Sequence, residues 1–149
     1  MMFDASPLGG LMVQFAEDLT IGLDEDRPGA LAAVFAMVAR ANLNIEGYAF
    51  IEGLLHVLTP DASAARTTLE NGGVRVRRQR KVLVVDGENR VGQAASILLR
   101  IAEVGANVHF SYVAAGDRVV IGAERLEELA DLRLDGVTWP MPEPAAPRC

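Results

Sequence analysis

Along the chain, apolar residues alternate between two periods. Leu31, Val34, Phe35, Val38 and Ala39 recur at spacings of three and four, which predicts an amphipathic helix. Asp26 stands where an N-cap belongs, Pro28 suits a first helical turn, and Asn42 ends the helix. The apolar, β-prone run Leu19–Leu23 precedes it as a strand, with Asp24–Gly29 as the turn between them. Leu43–Ile51 alternates with period two and reads as a strand, which Glu52–Gly53 turns into a second strand, Leu54–Thr59. Asp61 can cap a short helix that stops at Gly72–Gly73, and Val74–Gln79 reads as a closing strand.

The same scheme then recurs. Shifting the sequence by 63 residues aligns it with itself without a gap, matching Arg27 with Arg90, Gly29 with Gly92 and Asn44 with Asn107. The second copy reads as a strand Val82–Asp86, a helix carrying Ala94, Ile97, Leu98, Ile101 and Ala102, strands Val108–Ala114 and Arg118–Ala123, a helix with Leu126, Leu129 and Leu132, and a last strand Val137–Trp139. The order βαββαβ predicts an α+β fold of two ferredoxin-like units in tandem, residues 11–80 and 81–139, with a Pro-rich flexible tail over 140–149. Helices on one face of each sheet leave the other face open. The alternation puts Asn44, Glu46, Tyr48 and Phe50 there in the first copy, and Asn107, His109, Ser111 and Val113 in the second. Bare faces and edges of this kind predict a homo-oligomer, a dimer in the simplest case.

Composition narrows the function. Half of the 149 residues are hydrophobic, 23% are charged, and the net charge is −6. An acidic chain argues against a general nucleic-acid binder. The longest apolar run, Ala30–Ala39, is half the length of a membrane span, and the start MMFDASPLGG lacks the features of a signal peptide. The single cysteine, Cys149, allows no intrachain disulfide and no cysteine-based metal site, so a cytoplasmic protein is expected. None of the common nucleophile, zinc or phosphate-loop motifs occurs, so neither a catalytic residue nor a metal or cofactor site is assigned.

The stretch DEDRPGALAAVFAMVARANLNI, with Asp26–Arg27–Pro28–Gly29 and Leu43–Asn44–Ile45, resembles the signature of the ACT domain, a small regulatory module that binds amino acids. In the second copy ENRVGQAASILLRIAEVGANV matches, with Val91 in place of the proline and Asn89 in place of the aspartate. The resemblance covers about residues 17–139 and is to tandem ACT proteins without an attached enzyme. It implies a non-catalytic sensor whose ligand, an amino acid, lies at an interface between ACT units, acting on a partner enzyme or transcription factor. It also implies that the ligand meets the first loop and the asparagine opening the second strand.

The chemistry of such a site can be argued from the residues. A carboxylate needs donors, and the N–H groups of Gly29, Ala30 and Leu31 at a helix start would supply them. An ammonium needs acceptors, and Asp24, Asp26 and the Asn44 side chain would serve. With Arg27, Pro28 and Ile45 these residues form the first candidate site. Asn89, Arg90, Gly92, Gln93, Ala94 and Asn107 form its counterpart in the second copy. On local chemistry alone, the same residues are also those that simply start a helix and cap a turn.

Three other functions compete with this one. An interaction module without a ligand pocket fits the same fold. Acylphosphatases share the strand order and use a loop arginine with a strand asparagine, but Asp24, Glu25 and Asp26 would repel a phosphate from Arg27. RNA-recognition motifs need exposed aromatics on central strands, and here those strands read LLHVLT and RVVIGA. Finally, Arg75, Arg77, Arg78, Arg80 and Lys81 form a basic cluster, which reads either as an anion or partner site or as a solvated strand edge. His56 and His109 read as packed strand residues.

Overall fold

The computed structural model describes residues 12–23, 27–86 and 92–127. Its elements are β1 (Met12–Gly22), α1 (Ala30–Arg40), β2 (Gly47–Ile51), β3 (Leu54–Leu58), α2 (Ala62–Asn71), β4 (Val76–Asp86), α3 (Gln93–Glu103), β5 (Val108–Ala114), a 3-10 turn at Ala115–Asp117 and β6 (Arg118–Ala123). The six strands form a closed barrel in the order β1-β3-β2-β5-β6-β4, with α+β character as expected.

Local signals place most of these elements. Asp61 caps α2 by accepting a hydrogen bond from the Ala64 N–H at 3.1 Å, and α2 ends at Gly72 as its sequence indicated. Asn42 takes a left-handed conformation (φ 59°) just after α1. The start of α1 differs from expectation. Its N-cap is Gly29, at φ 86°, so Pro28 stands outside the helix; Asp26 lies outside the described residues. Gly92 caps α3 in the same way at φ 82°. A left-handed backbone at both positions is what glycine alone adopts without a side-chain penalty.

The strands depart further from the sequence reading. The strand expected at Leu19–Leu23 begins seven residues earlier, at Met12. The strands expected at Val74–Gln79 and Val82–Asp86 are one continuous strand, so the boundary expected between Arg80 and Lys81 falls inside β4. β1 and β4 pair antiparallel along nearly their whole length, from Met12↔Asp86 to Ile21↔Val76. The later part of β1 also pairs with β3, and the later part of β4 also pairs with β6. The start of β1 thus lies beside Val82–Asp86. Val137–Trp139, Leu129, Leu132 and the 140–149 tail lie outside the described residues.

Helices cover the outside of the barrel. Leu19, Ile21, Leu55 and Val57 pack under Val34 and Val38 of α1 and Ala65 and Leu69 of α2. Leu83, Val85 and Ile121 pack under Ile97 and Ile101 of α3, joined by Leu126. The opposite strand faces meet inside, where Leu58, Val82, Val84, Tyr112, Ala114 and Val120 form a third cluster. The faces expected to await a second copy thus cover each other.

The assignment of those faces is also reversed. Tyr48 and Phe50 are in register with Val57 and Leu55 on the helix side, and the Tyr48 ring meets Phe35 of α1 edge-on at 4.9 Å. Ser111 and Val113 are level with Ile121 and Val119, again on the helix side. The interior instead receives Gly47, Ala49, Phe110, Tyr112 and Ala114. A one-residue slip in a period-two pattern exchanges every side chain. Here the large side chains Tyr48 (52% exposed) and Val113 (66% exposed) on the outward face blurred the polar–apolar contrast that would have revealed it. β2 is also shorter than expected, starting at Gly47 rather than Leu43.

The barrel closes where β2 meets β5, at Gly47↔Ala114. The Ala115 N–H donates to the Glu46 carbonyl at 2.8 Å, and Arg118 pairs with Glu46 at 3.5 Å. The approach is close enough that a Cβ on Gly47 would lie 2.7 Å from Ala114 Cβ.

Candidate functional site

The residues named from the sequence fall into separated groups. Arg27, Pro28 and Gly29 are exposed at the head of α1, where the Ala30 N–H donates to the Arg27 carbonyl at 3.2 Å. That bond engages one of the three donors expected to meet a ligand; Leu31 is half-buried against the core. Asn44 is exposed beyond the far end of α1, and Ile45 packs against the core. An 11-residue helix separates Gly29 from this end of the unit, roughly 16 Å of rise. The strands agree: Gly22 is level with Leu54, and Gly47 with Leu58. One ligand therefore cannot touch Gly29 and Asn44 of the same unit. In the second group Gly92 and Gln93 head α3, and Asn107, exposed before β5, donates its backbone N–H to Glu124 at 3.2 Å. Asp24, Asp26, Asn89 and Arg90 lie outside the described residues.

A second constellation, which sequence reasoning missed, occupies the barrel interior. Even-numbered residues of β1 point inward, so Asp18 and Thr20 lie inside. Asp18 is fully buried. Its carboxylate accepts hydrogen bonds from the Tyr112 hydroxyl at 2.6 Å and the Thr20 hydroxyl at 3.2 Å, and His56 Nδ1 lies 3.1 Å away. A carboxylate only accepts, so this arrangement places a hydrogen on Nδ1 of His56. Burial, the Asp18 charge and the hydrogen bond to it together hold the Tyr112 hydroxyl far above the usual phenol range. The phenol is therefore a fixed donor and not a base. The network ties β1 and β3 to β5, linking residues 94 positions apart.

Above this network the barrel opens into a cleft of about 330 Å³. Thr20, Leu54, His56, His109 and Phe110 line it. The His56 ring stacks on Phe110 at 4.1 Å, and the Arg80 guanidinium lies 5.3 Å from the Phe110 ring centre. Arg77 and Arg78 complete the lining. Two irregularities bring these groups together. An extra residue in β4 opposite Thr20/Ile21 carries Arg77 out of the alternation, and another in β5 between Val108 and Phe110 does the same for His109. The alternation of β4 placed the arginine cluster in sequence, but neither bulge leaves a signal there. No group of three or more potential metal ligands occurs among the described residues.

No known family profile matches the chain, and no curated protein matches it in sequence. Its likenesses are structural. The regulatory subunit of aspartate kinase from Thermus thermophilus, in its ligand-free form, superposes with a TM-score of 0.65 at 17% identity, covering 87% of this chain and 96% of that one. The corresponding subunit from Thermus flavus gives 0.62 at 17%, covering 86% and 95%. A protein from Bacteroides thetaiotaomicron gives 0.64 at 21%, covering 79% and 84%. At these identities the likeness establishes a shared fold: this chain has the architecture of the regulatory subunits of aspartate kinase, over nearly their full length.

Proposed function

We propose that the protein is a non-catalytic regulator that binds an amino acid at an interface between ACT-like units. Its two halves, residues 11–80 and 81–139, are duplicated units, and its effect is exerted on a partner enzyme. The observation that carries this reading is the matched pair of left-handed glycine caps, Gly29 and Gly92, at the heads of α1 and α3. They stand 63 residues apart, each two residues after an arginine, and would offer two similar helix ends to a carboxylate. The shared fold with regulatory subunits of aspartate kinase supports the regulatory assignment.

Because Gly29 and Asn44 lie at opposite ends of one unit, a ligand touching both must sit between two copies of the chain. A homodimer in which the Asp24–Leu31 loop of one copy meets Asn44 of the other satisfies this. Isothermal calorimetry against the twenty amino acids tests the proposal. Binding of one of them is expected, weakened in Asn44→Ala at an unchanged melting temperature, since Asn44 is exposed. Asn107→Ala tests the second copy in the same way. Substituting Gly29 is less informative, because any side chain there strains a backbone at φ 86°. Silence across the panel overturns the sensor reading. It would leave an interaction module without a ligand pocket, which the exposed Ile51 (70%) on β2 and Val113 (66%) on β5 favour.

A further inference from the structure

The basic cluster of β4 is not used by the function proposed above. A solvated strand edge would explain it if its cations pointed into water. Arg78, which is exposed, and Arg80, which is half-buried, instead line the cleft. They share the inward face of β4 with Val82 and Val84, which are fully buried two and four residues on from Arg80. The bulge at Arg77 adds a third guanidinium to the same cleft. The rest of the lining is mixed, with Leu54 and Phe110 beside Thr20, His56 and His109.

Arg78 and Arg80 bring two like charges into one cleft, where they repel each other. The nearest inward carboxylate, Asp18, does not relieve them. It is directed to Tyr112, Thr20 and His56, and among the described residues neither Arg78 nor Arg80 has an ion pair. Both histidines of the chain also line this cleft, and each offers ring nitrogen donors when protonated. A volume of about 330 Å³ is in the range of small-molecule sites.

We propose that this cleft binds a small oxyanion carrying two or more charged oxygens, either a phosphate group or a polycarboxylate. Arg78 and Arg80 supply planar forks that match either group in bidentate geometry. The site is distinct from the helix-head site, since Gly29 and Asn44 are not among its lining residues. An occupant would touch His56, hence Asp18 and hence Tyr112 on β5, so binding would be felt in both halves of the barrel.

The test is calorimetry on the full chain with pyrophosphate and, separately, citrate, paired with NMR of the histidine rings. The two histidines are the only ones in the chain, so each ring signal reports on the cleft. Saturable binding is expected, with both ring signals moving at the same midpoint as the heat. Pyrophosphate alone assigns a phosphate ligand, citrate alone a polycarboxylate, and both together the shared oxyanion chemistry. Arg78→Gln, at an exposed position, is expected to weaken binding ~10-fold, the loss of one charge-assisted contact. Arg66→Gln, which removes a helix-surface arginine paired with Glu70, should leave it unchanged. Absence of saturable heat with both anions at millimolar concentration overturns the proposal. So does binding that leaves both histidine signals in place, or that Arg78→Gln does not weaken. Each of these failures leaves the amino-acid reading standing, because that reading is tested at Asn44.

Discussion

Replacing Tyr112 by phenylalanine tests the interior network directly. The ring is 8% exposed and its hydroxyl donates to a fully buried carboxylate at 2.6 Å. The substitution keeps the packing and removes one hydrogen bond to a charged group, leaving one Asp18 oxygen without that donor. Such a loss costs about 2 kcal/mol. In a chain of this length that lowers the melting temperature by roughly 4–8 °C. A pH series sharpens the test. The folded-state pKa of Tyr112 is raised, so its contribution is fully present below the unfolded phenol pKa and fades as pH rises through and beyond that value. Taking an unfolded pKa of about 10, ionisation of the unfolded chain removes ~1.4 kcal/mol of the parent's advantage between about pH 9 and pH 11. The Tyr112→Phe variant has no such group, so the stability gap between the two proteins should narrow by that amount. Urea denaturation followed by circular dichroism measures both values. Tyr48→Phe, at a half-exposed ring, is the control and should change stability by less than about 0.5 kcal/mol. A Tyr112→Phe variant as stable as that control, or a gap that stays constant at alkaline pH, would refute the account of the network.

Two further outcomes follow from the barrel. Gly47→Val places atoms onto Ala114 at the β2–β5 seam and should cost roughly 1–3 kcal/mol of overpacking, measured by the same denaturation series; parent-like stability would show that the seam is loose. Deleting residues 1–17 removes the part of β1 that pairs with Lys81–Asp86, baring a buried strand edge. The shortened chain should aggregate on gel filtration, and a monodisperse product with the parent's melting temperature would contradict the shared-strand architecture.

Local sequence was sufficient for the elements whose signals lie within a few residues of one another. The α1 stripe of Val34 and Val38, the Asp61 cap and the Glu52–Gly53 turn depend on contacts or patterns that the chain itself spells out. The glycines of the candidate helix-head site were legible for the same reason, although their role as the caps themselves was not: Asp26 and Pro28 satisfy the usual rules for a helix start equally well. What remained hidden depends on partners far away in the chain. The start of β1 carries Gln14, Glu17 and Asp18 among its apolar residues and becomes a strand because β4 offers it a complete ladder. The inward face was decided by which side the helices covered, a choice to which a period-two pattern is blind when both faces are partly apolar. The interior network unites Asp18, His56 and Tyr112, and each of them alone reads as an ordinary strand residue. Only closure of the barrel takes Asp18 out of water, and a buried carboxylate must then be met by donors that the fold, and not the local sequence, brings to it.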